Sequence, residues 1–257
     1  MSLQTEFVAF STIVRKEARR FFRIWSQTLL PPAISMTLYF VIFGQLIGRR
    51  IGTMAGFTYM QFMVPGLIMM AVLTNAYANV VSSFFGAKFQ RHIEELLISP
   101  TSNHTILLGF VVGGILRGVC VGAIVTVLSL FFSRLHIQHI GITLAILLLT
   151  SLLFSLAGFI NAAYANNFDD ISIVPTFVLT PLTYLGGVFY SIDLLPGFWA
   201  GASRLNPILY IVNAFRYGFL GVSDVDLTLS FGIVLLFIAI AYVYAMYLLK
   251  TSKRLRM

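Results

Sequence analysis

An all-α integral membrane protein with six transmembrane helices is the fold class this chain predicts, and three observations predict it. Hydrophobic residues make up 58% of the sequence and charged residues only 10%, with a mean hydropathy of +0.91. That leaves too little polar surface to cover a water-soluble globule of 257 residues. Between Arg23 and Lys250 the charges are separated by apolar runs close to the ~20 residues that a helix needs to cross a bilayer core of about 30 Å. Backbone groups in lipid must be satisfied internally, and the alternation that marks a transmembrane barrel is absent, so helices are the expected solution.

Taken in order, residues Thr5 to Trp25 come first. Arg15, Lys16, Arg19, Arg20 and Arg23 fall within one helical arc, with Phe7, Phe10, Val14, Phe21 and Phe22 roughly opposite. Such a helix lies in the membrane interface as an elbow before the first span; the plainer alternative is a basic patch without a defined helix. Six spans are expected, at Ile24 to Ile47, Tyr59 to Phe85, Thr105 to Phe132, Ile142 to Ala165, Ile171 to Tyr190 and Leu229 to Leu249. The first apolar run begins late, is long and lacks a small-x-small exit, so it reads as a signal anchor rather than a cleaved signal peptide.

Gly86 to His104 is the longest polar interval on one side. Phe85, Phe89, Ile93, Leu96 and Leu97 share a helical face there while Lys88, Arg91, His92, Glu94 and Glu95 cover the other, until Ser99-Pro100 ends the pattern. This predicts a short amphipathic helix along the membrane, docked on the protein's own spans or offering its charged side to a cytoplasmic partner. In the third span Gly109, Gly113, Gly114, Gly118 and Gly122 recur at spacings of four, which lets helices approach closely, within the bundle or at a dimer seam. Asp169-Asp170 is expected to cap the fifth span. That span runs into PLTYLGGVFYSIDLLPGFW, Pro181 to Trp199, and the interval Tyr190 to Thr228 then mixes Pro196, Gly197, Pro207, Gly218 and Gly221 with Phe198, Trp199, Ile208, Tyr210 and Phe215. It is too apolar for a solvated loop and too interrupted for a span, so short re-entrant helices are expected.

The chain reads as a single membrane domain, 1–257, made of an interfacial helix (1–23), a six-span bundle (24–249) and a tail (250–257). Six spans put both termini on one side. Arg15, Lys16, Arg19, Arg20, Arg23, Lys88, Arg91, Lys250, Lys253, Arg254 and Arg256 then outnumber Arg49, Arg50, Arg134, Arg204 and Arg216 opposite, which makes the termini cytoplasmic. The net charge of +8 reads as orientation and contact with anionic lipid headgroups, not nucleic-acid binding. Cys120 is the sole cysteine, so no intrachain disulfide forms.

Little here does chemistry. His92 and His104 belong to the cytoplasmic segment and His136 and His139 to an outer loop, none paired with a carboxylate at metal-ligand spacing. Neither a G-x-S-x-G elbow nor a G-x-x-x-x-G-K-[ST] loop occurs, so no metal, catalytic site or bound cofactor is expected. Intramembrane acids, usual in ion-driven carriers, are lacking, and Arg117 is the one firmly buried charge. It calls either for a structural partner or for an anionic substrate. A carrier of this kind needs energy from elsewhere.

These residues resemble the ABC type-2 permease family, the membrane subunits of exporters for polysaccharides, glycolipids, lipo-oligosaccharides and drugs. The likeness covers nearly the whole chain and rests on FQRHIEELLISPTSNHTILLGF, Phe89 to Phe110, on the Pro181 to Trp199 string followed by LNPILYIVNAFRYGFLG, Leu205 to Gly221, and more weakly on MVPGLIMM, Met63 to Met70. It implies an elbow helix, six spans, a coupling helix after the second and re-entrant helices after the fifth, in a homodimer with two copies of a separate ATPase that binds ATP and magnesium. Carried onto this chain, Arg91, His92, Glu94, Glu95, Leu96 and Leu97 lie at the coupling helix, though the Gly-Thr that many members carry after the basic residue is missing. Gly186, Gly187, Pro196, Asn206, Pro207 and Arg216 shape the outer gate, and Arg117 and Tyr184 are candidates for the translocation path. The chain looks most similar to the shorter bacterial inner-membrane permeases allied to nodulation-factor and capsule exporters. Tyr184, Phe189, Tyr190, Trp199, Tyr210 and Tyr217 fit either stacking on sugar rings or an interfacial aromatic belt. The rival classes are a membrane enzyme acting on lipid-linked substrates, a scaffold and a secondary carrier.

Overall fold

A computed structural model describes residues 3–134 and 137–251. His136, Lys253, Arg254 and Arg256 lie outside the described residues, as does the side chain of Arg49. Helix α1, Leu3–Arg23, ends at Ile24, where the backbone turns, and α2, Trp25–Thr28, begins. The Thr28 hydroxyl staples this corner by donating to the carbonyls of Phe21 (2.8 Å) and Ile24 (3.1 Å). Pro31-Pro32 sits in the first turn of α3, Leu30–Tyr39, where a missing N–H costs nothing. A π-helical stretch, Phe40–Ile47, and α4, Gly48–Ile51, complete this rod.

A hairpin that the sequence reading did not foresee follows. Strands β1, Thr53–Met54, and β2, Phe57–Thr58, pair antiparallel across Ala55-Gly56, both with positive φ (51° and 81°), the pairing that a two-residue turn of the primed type requires. Thr58 then starts α5, Tyr59–Phe89, with a capping box: its hydroxyl accepts from the Gln61 N–H and the Gln61 side chain accepts from its own N–H. This helix is apolar nearly all round and is correspondingly the buried centre of the bundle. The remaining elements are α6, His92–Ile98; α7, Asn103–Ser129; α8, Ile140–Tyr164; a rod of α9, Asp170–Val174, a π-helical stretch, Pro175–Leu179, and α10, Thr180–Tyr184; a 3-10 turn, Ile192–Leu194; α11, Gly197–Arg204; α12, Pro207–Leu220; and α13, Leu227–Thr251.

Five helices among the described residues are long and apolar enough to cross a membrane: Trp25–Gly44, Tyr59–Phe89, Asn103–Ser129, Ile140–Tyr164 and Leu227–Thr251. The segment expected as the fifth of six spans, Ile171 to Tyr190, is helical only to Tyr184. The rod from Asp170 is about 22 Å long at 1.5 Å per residue, short of the ~30 Å hydrocarbon core. Its Pro175 leaves the Ile171 carbonyl without the usual partner, and the Asn161 side chain of α8 donates to that carbonyl at 3.2 Å. Of the Asp169-Asp170 pair, the Asp170 carboxylate accepts from the N–H groups of Asn166 and Asn167, while the Asn167 side chain accepts from the Asp170 N–H. The acid therefore orders the preceding turn, and the asparagine does the capping.

The glycines of α7 pack inside the bundle. Gly109 and Gly113 receive Ile13 and Glu17 of α1, where a Cβ would sit 2.6 Å from either side chain; Gly114 and Gly118 lie against α5 and α8. Two expectations for the polar interval need correction. Its helix is not continuous, because α5 runs on to Phe89 and breaks at Arg91, which is left-handed (φ 63°). Lys88 is not on an exposed face: it is 2% exposed and its ammonium donates to the carbonyls of Ala163 (2.9 Å) and Ala165 (2.7 Å) at the end of α8.

Candidate functional site

Two regions at opposite ends of the bundle hold the residues that the sequence singles out. At the end shared by both termini, the Glu6 carboxylate accepts from the Ser102 N–H at 3.1 Å and His104 bonds the Tyr242 hydroxyl at 2.6 Å. Helix α6 stands here. Ile93 is its buried anchor, Leu96 and Leu97 are half-buried, and Arg91, His92 and Glu95 are exposed, with Glu94 between. Thr12, Ile13, Lys16, His92, Glu95, Leu96 and Phe110 line a cleft of about 350 Å³ between α1, α6 and α7.

Beneath α6, a buried polar tie joins α1 to α5. Glu17 is fully buried and accepts a 2.6 Å hydrogen bond from the Ser83 hydroxyl. Arg20 pairs with Glu17 at 3.4 Å and donates to the Asn79 carbonyl (2.9 Å) and side-chain oxygen (2.8 Å). An acid in a membrane-facing helix must be paired and hydrogen-bonded to be tolerated, and here it is both. The sequence reading missed this tie. The signal was Glu17 set three residues before Arg20 inside a cationic arc, an intrahelical pair.

At the opposite end, Arg216 of α12 is the hub. Fully buried, it donates to the Gly187 carbonyl at 2.6 Å, the Phe62 carbonyl at 3.3 Å and the Asn213 side chain at 3.4 Å, and its guanidinium lies 3.8 Å from the centre of the Phe62 ring. Asp224 approaches it at 4.0 Å and accepts from the Ile192 N–H. The chain break before it is built from the same residues. Gly187 takes φ 70°, and a Cβ on Gly186 would come within 2.7 Å of Ile208. Asn206 donates to the Leu182 carbonyl at 2.5 Å and caps α12 through the Ile208 N–H, with Pro207 in the first turn.

So Gly186, Gly187, Asn206, Pro207 and Arg216 come together, whereas Pro196 stands apart at the start of α11. Asn213 and Asp224, which complete the hub, escaped the sequence reading: Asn213 sits one turn before Arg216 on α12, a local i,i+3 signal that was there to be read, whereas nothing local marks Asp224 beyond the end of the helix. Arg117 donates to Asn75 of α5 at 3.0 Å and to the Thr28 carbonyl at 3.3 Å. Tyr184 ends α10 at the edge of the hub, between Leu182 and Gly187, without bonding Arg216. Its ring stacks on Phe189, which also meets Tyr39 and Phe43 of the first rod with centroids 5.0–5.9 Å apart. No grouping of three metal-ligand side chains occurs among the described residues.

Apolar spanning helices, with an exposed short helix at one end and a proline- and glycine-rich cap at the other, define a multi-pass helical membrane protein. The ABC-2 type transporter family model matches residues 8–220, and the chain belongs to that family as a permease. The chain is 59% identical over 250 residues to the inner membrane transport permease YadH of Escherichia coli K12, covering 97% of this chain and 98% of that one. More distantly it is similar to nodulation protein J of Rhizobium leguminosarum bv. trifolii, at 24% identity over 90% of both chains, and of Rhizobium meliloti, at 22% over 83% and 84%.

Proposed function

We propose that the chain is the membrane half of an ATP-driven exporter of the bacterial inner membrane, in which two copies pair with two copies of a separate ATPase. The observation that carries this is α6: a helix anchored by one buried residue, Ile93, at the foot of the most buried helix, with Arg91, His92 and Glu95 exposed. Nucleotide binding draws the ATPases together, α6 takes up the movement, and α5 and the Asp170–Tyr184 rod open a path. In this reading α1 is the elbow, the rod serves as a short fifth span and α11 and α12 are re-entrant. Both termini are cytoplasmic, and ATP and magnesium belong to the partner. The family match and the names of the relatives support location and class, and the burial of α12 among α5, α8 and α13 supports its re-entrant placement. The cargo class is a lipid, a glycan or glycolipid, or an amphiphilic drug, for which the Tyr39, Phe43, Tyr184 and Phe189 rings offer stacking surfaces.

The test is charge reversal on α6. Glu94→Lys with Glu95→Lys abolishes export and the permease-dependent part of ATPase turnover in the purified complex, while membrane insertion stays normal. Unchanged turnover removes the coupling role.

A further inference from the structure

Helix α1 carries a second feature, on the face next to the Glu17 tie. Lys16, Arg19, Arg20 and Arg23, spaced to share one side of the helix, line a groove of about 510 Å³ together with Ile24. Only Arg20 has an acidic partner, Glu17; among the described residues no carboxylate lies within ion-pair distance of Lys16, Arg19 or Arg23. Like charges three and four residues apart repel along a helix, so this groove holds an uncompensated positive charge that an anion from outside would relieve. Arg20 is already fixed by Asn79, Ser82 and Glu17, which makes one wall of the groove rigid. Ile24, the one apolar residue lining the groove, is exposed at the corner where α1 turns into the first spanning helix. A cationic groove that ends on an exposed apolar side chain fits an amphiphile: phosphate on the cations, the start of the acyl chain against Ile24.

We propose that this groove is a binding site for the phosphate headgroup of an anionic membrane lipid. The inference rests on the reading that the termini end of the bundle meets a membrane surface, and it requires neither the ATPase nor transport. A cation near an anionic surface is worth about fivefold in affinity, so removing Lys16, Arg19 and Arg23 together weakens retention about 100-fold. Arg20 is left in place because it belongs to the α1–α5 tie.

The experiment uses the purified permease without ATPase or nucleotide, titrated with phosphatidylglycerol or phosphatidylcholine and read by native mass spectrometry. The expected result is selective retention of phosphatidylglycerol by the parent chain, about 100-fold weaker retention by Lys16→Gln/Arg19→Gln/Arg23→Gln, and parent-like retention by Arg15→Gln, a cation of the same helix outside the groove. Should the triple variant fold poorly, Arg23→Gln alone gives about a fivefold loss. The proposal falls if the triple variant, or the single one in its place, holds phosphatidylglycerol as tightly as the parent. It falls equally if Arg15→Gln loses as much, which makes the effect diffuse charge. Displacement of the lipid by inorganic pyrophosphate at equal concentration overturns it as well, since the groove then takes free phosphate. Failure of the α6 charge reversal to affect turnover leaves all these readouts unchanged, so the two ideas stand or fall separately.

Discussion

Replacing Arg216 with alanine is the sharpest test of the hub. In the folded chain its guanidinium serves the carbonyls of Gly187 and Phe62, the Asn213 side chain and the face of the Phe62 ring, all without solvent. Alanine removes a donor from two main-chain acceptors and from the Asn213 oxygen, which keeps the Asp224 N–H at 3.0 Å, and an acceptor that loses its partner in a buried site costs about 1–3 kcal/mol. It also empties the volume above Phe62 and leaves Asp224 facing no cation at 4.0 Å. Together these give a loss of about 3–5 kcal/mol, the range found when one member of a buried charged network is removed. Arg216→Lys keeps the charge and is able to reach one acceptor but not several at once, because an ammonium lacks the planar fork; it loses about half as much. The measurement is unfolding of the purified chain by sodium dodecyl sulfate titration, followed by fluorescence of Trp25 and Trp199, the latter in the helix that packs on α12. A loss under about 1 kcal/mol for alanine, or lysine indistinguishable from arginine, refutes the argument that convergent buried bonds hold this end together.

A Cβ at position 114 would meet the Ser155 hydroxyl and lie 2.7 Å from a Val80 methyl, so Gly114→Ala destabilises by about 1–3 kcal/mol in the same titration. Gly232→Ala in α13, where nothing lies within 4 Å, is neutral or stabilising by up to about 1 kcal/mol, and equal effects at the two sites would overturn the packing argument. At the termini end, hydrogen bonds from Thr105 and then Ser102 hold the Glu6 carboxyl below its ordinary value of 4.5. With the folded value depressed, the docking of α1 on the start of α7 is fully supported above pH 4.5 and is lost as pH falls through the lower folded value. Hydrogen exchange of residues 3–12 reports it: protection falls on acidification in the parent chain, and Glu6→Gln abolishes that dependence.

The long spans were legible because a charge-free stretch of bilayer length has few alternatives: Tyr59 begins α5 as expected, and the expected Leu229 to Leu249 sits inside Leu227–Thr251. What could not be read was how helices end and what meets across space. The break at Arg91 depends on a non-glycine residue in the left-handed region, for which sequence carries no sign. Lys88 follows the amphipathic period yet turns its ammonium to the end of α8, since a long side chain reaches carbonyls that periodicity ignores. The outer cap was visible only as a motif. Asn206-Pro207 carries a local signal, an N-cap followed by proline, but the reach of Asn206 back to Leu182 and of Arg216 to Gly187 belongs to the fold.

Those polar contacts share a pattern. Three arginines, each from a different helix, converge on α5: Arg216 of α12 on the Phe62 carbonyl near its start, Arg117 of α7 on Asn75 midway and Arg20 of α1 on Asn79 one turn further. Of these three, Arg20 and Arg216 have a carboxylate within 4.0 Å; the other acceptors are carbonyl, amide and hydroxyl oxygens, and the Arg117 Nε has no partner among the described residues. In an apolar interior such an arrangement fixes position as well as charge, because a guanidinium moved by an ångström or two loses several short bonds at once. An otherwise featureless apolar helix thereby acquires a defined rotation and depth against its neighbours. Past the last of these grips α5 runs on from Val80 to Phe89, where Lys88 ties it to the end of α8 just before the turn into α6.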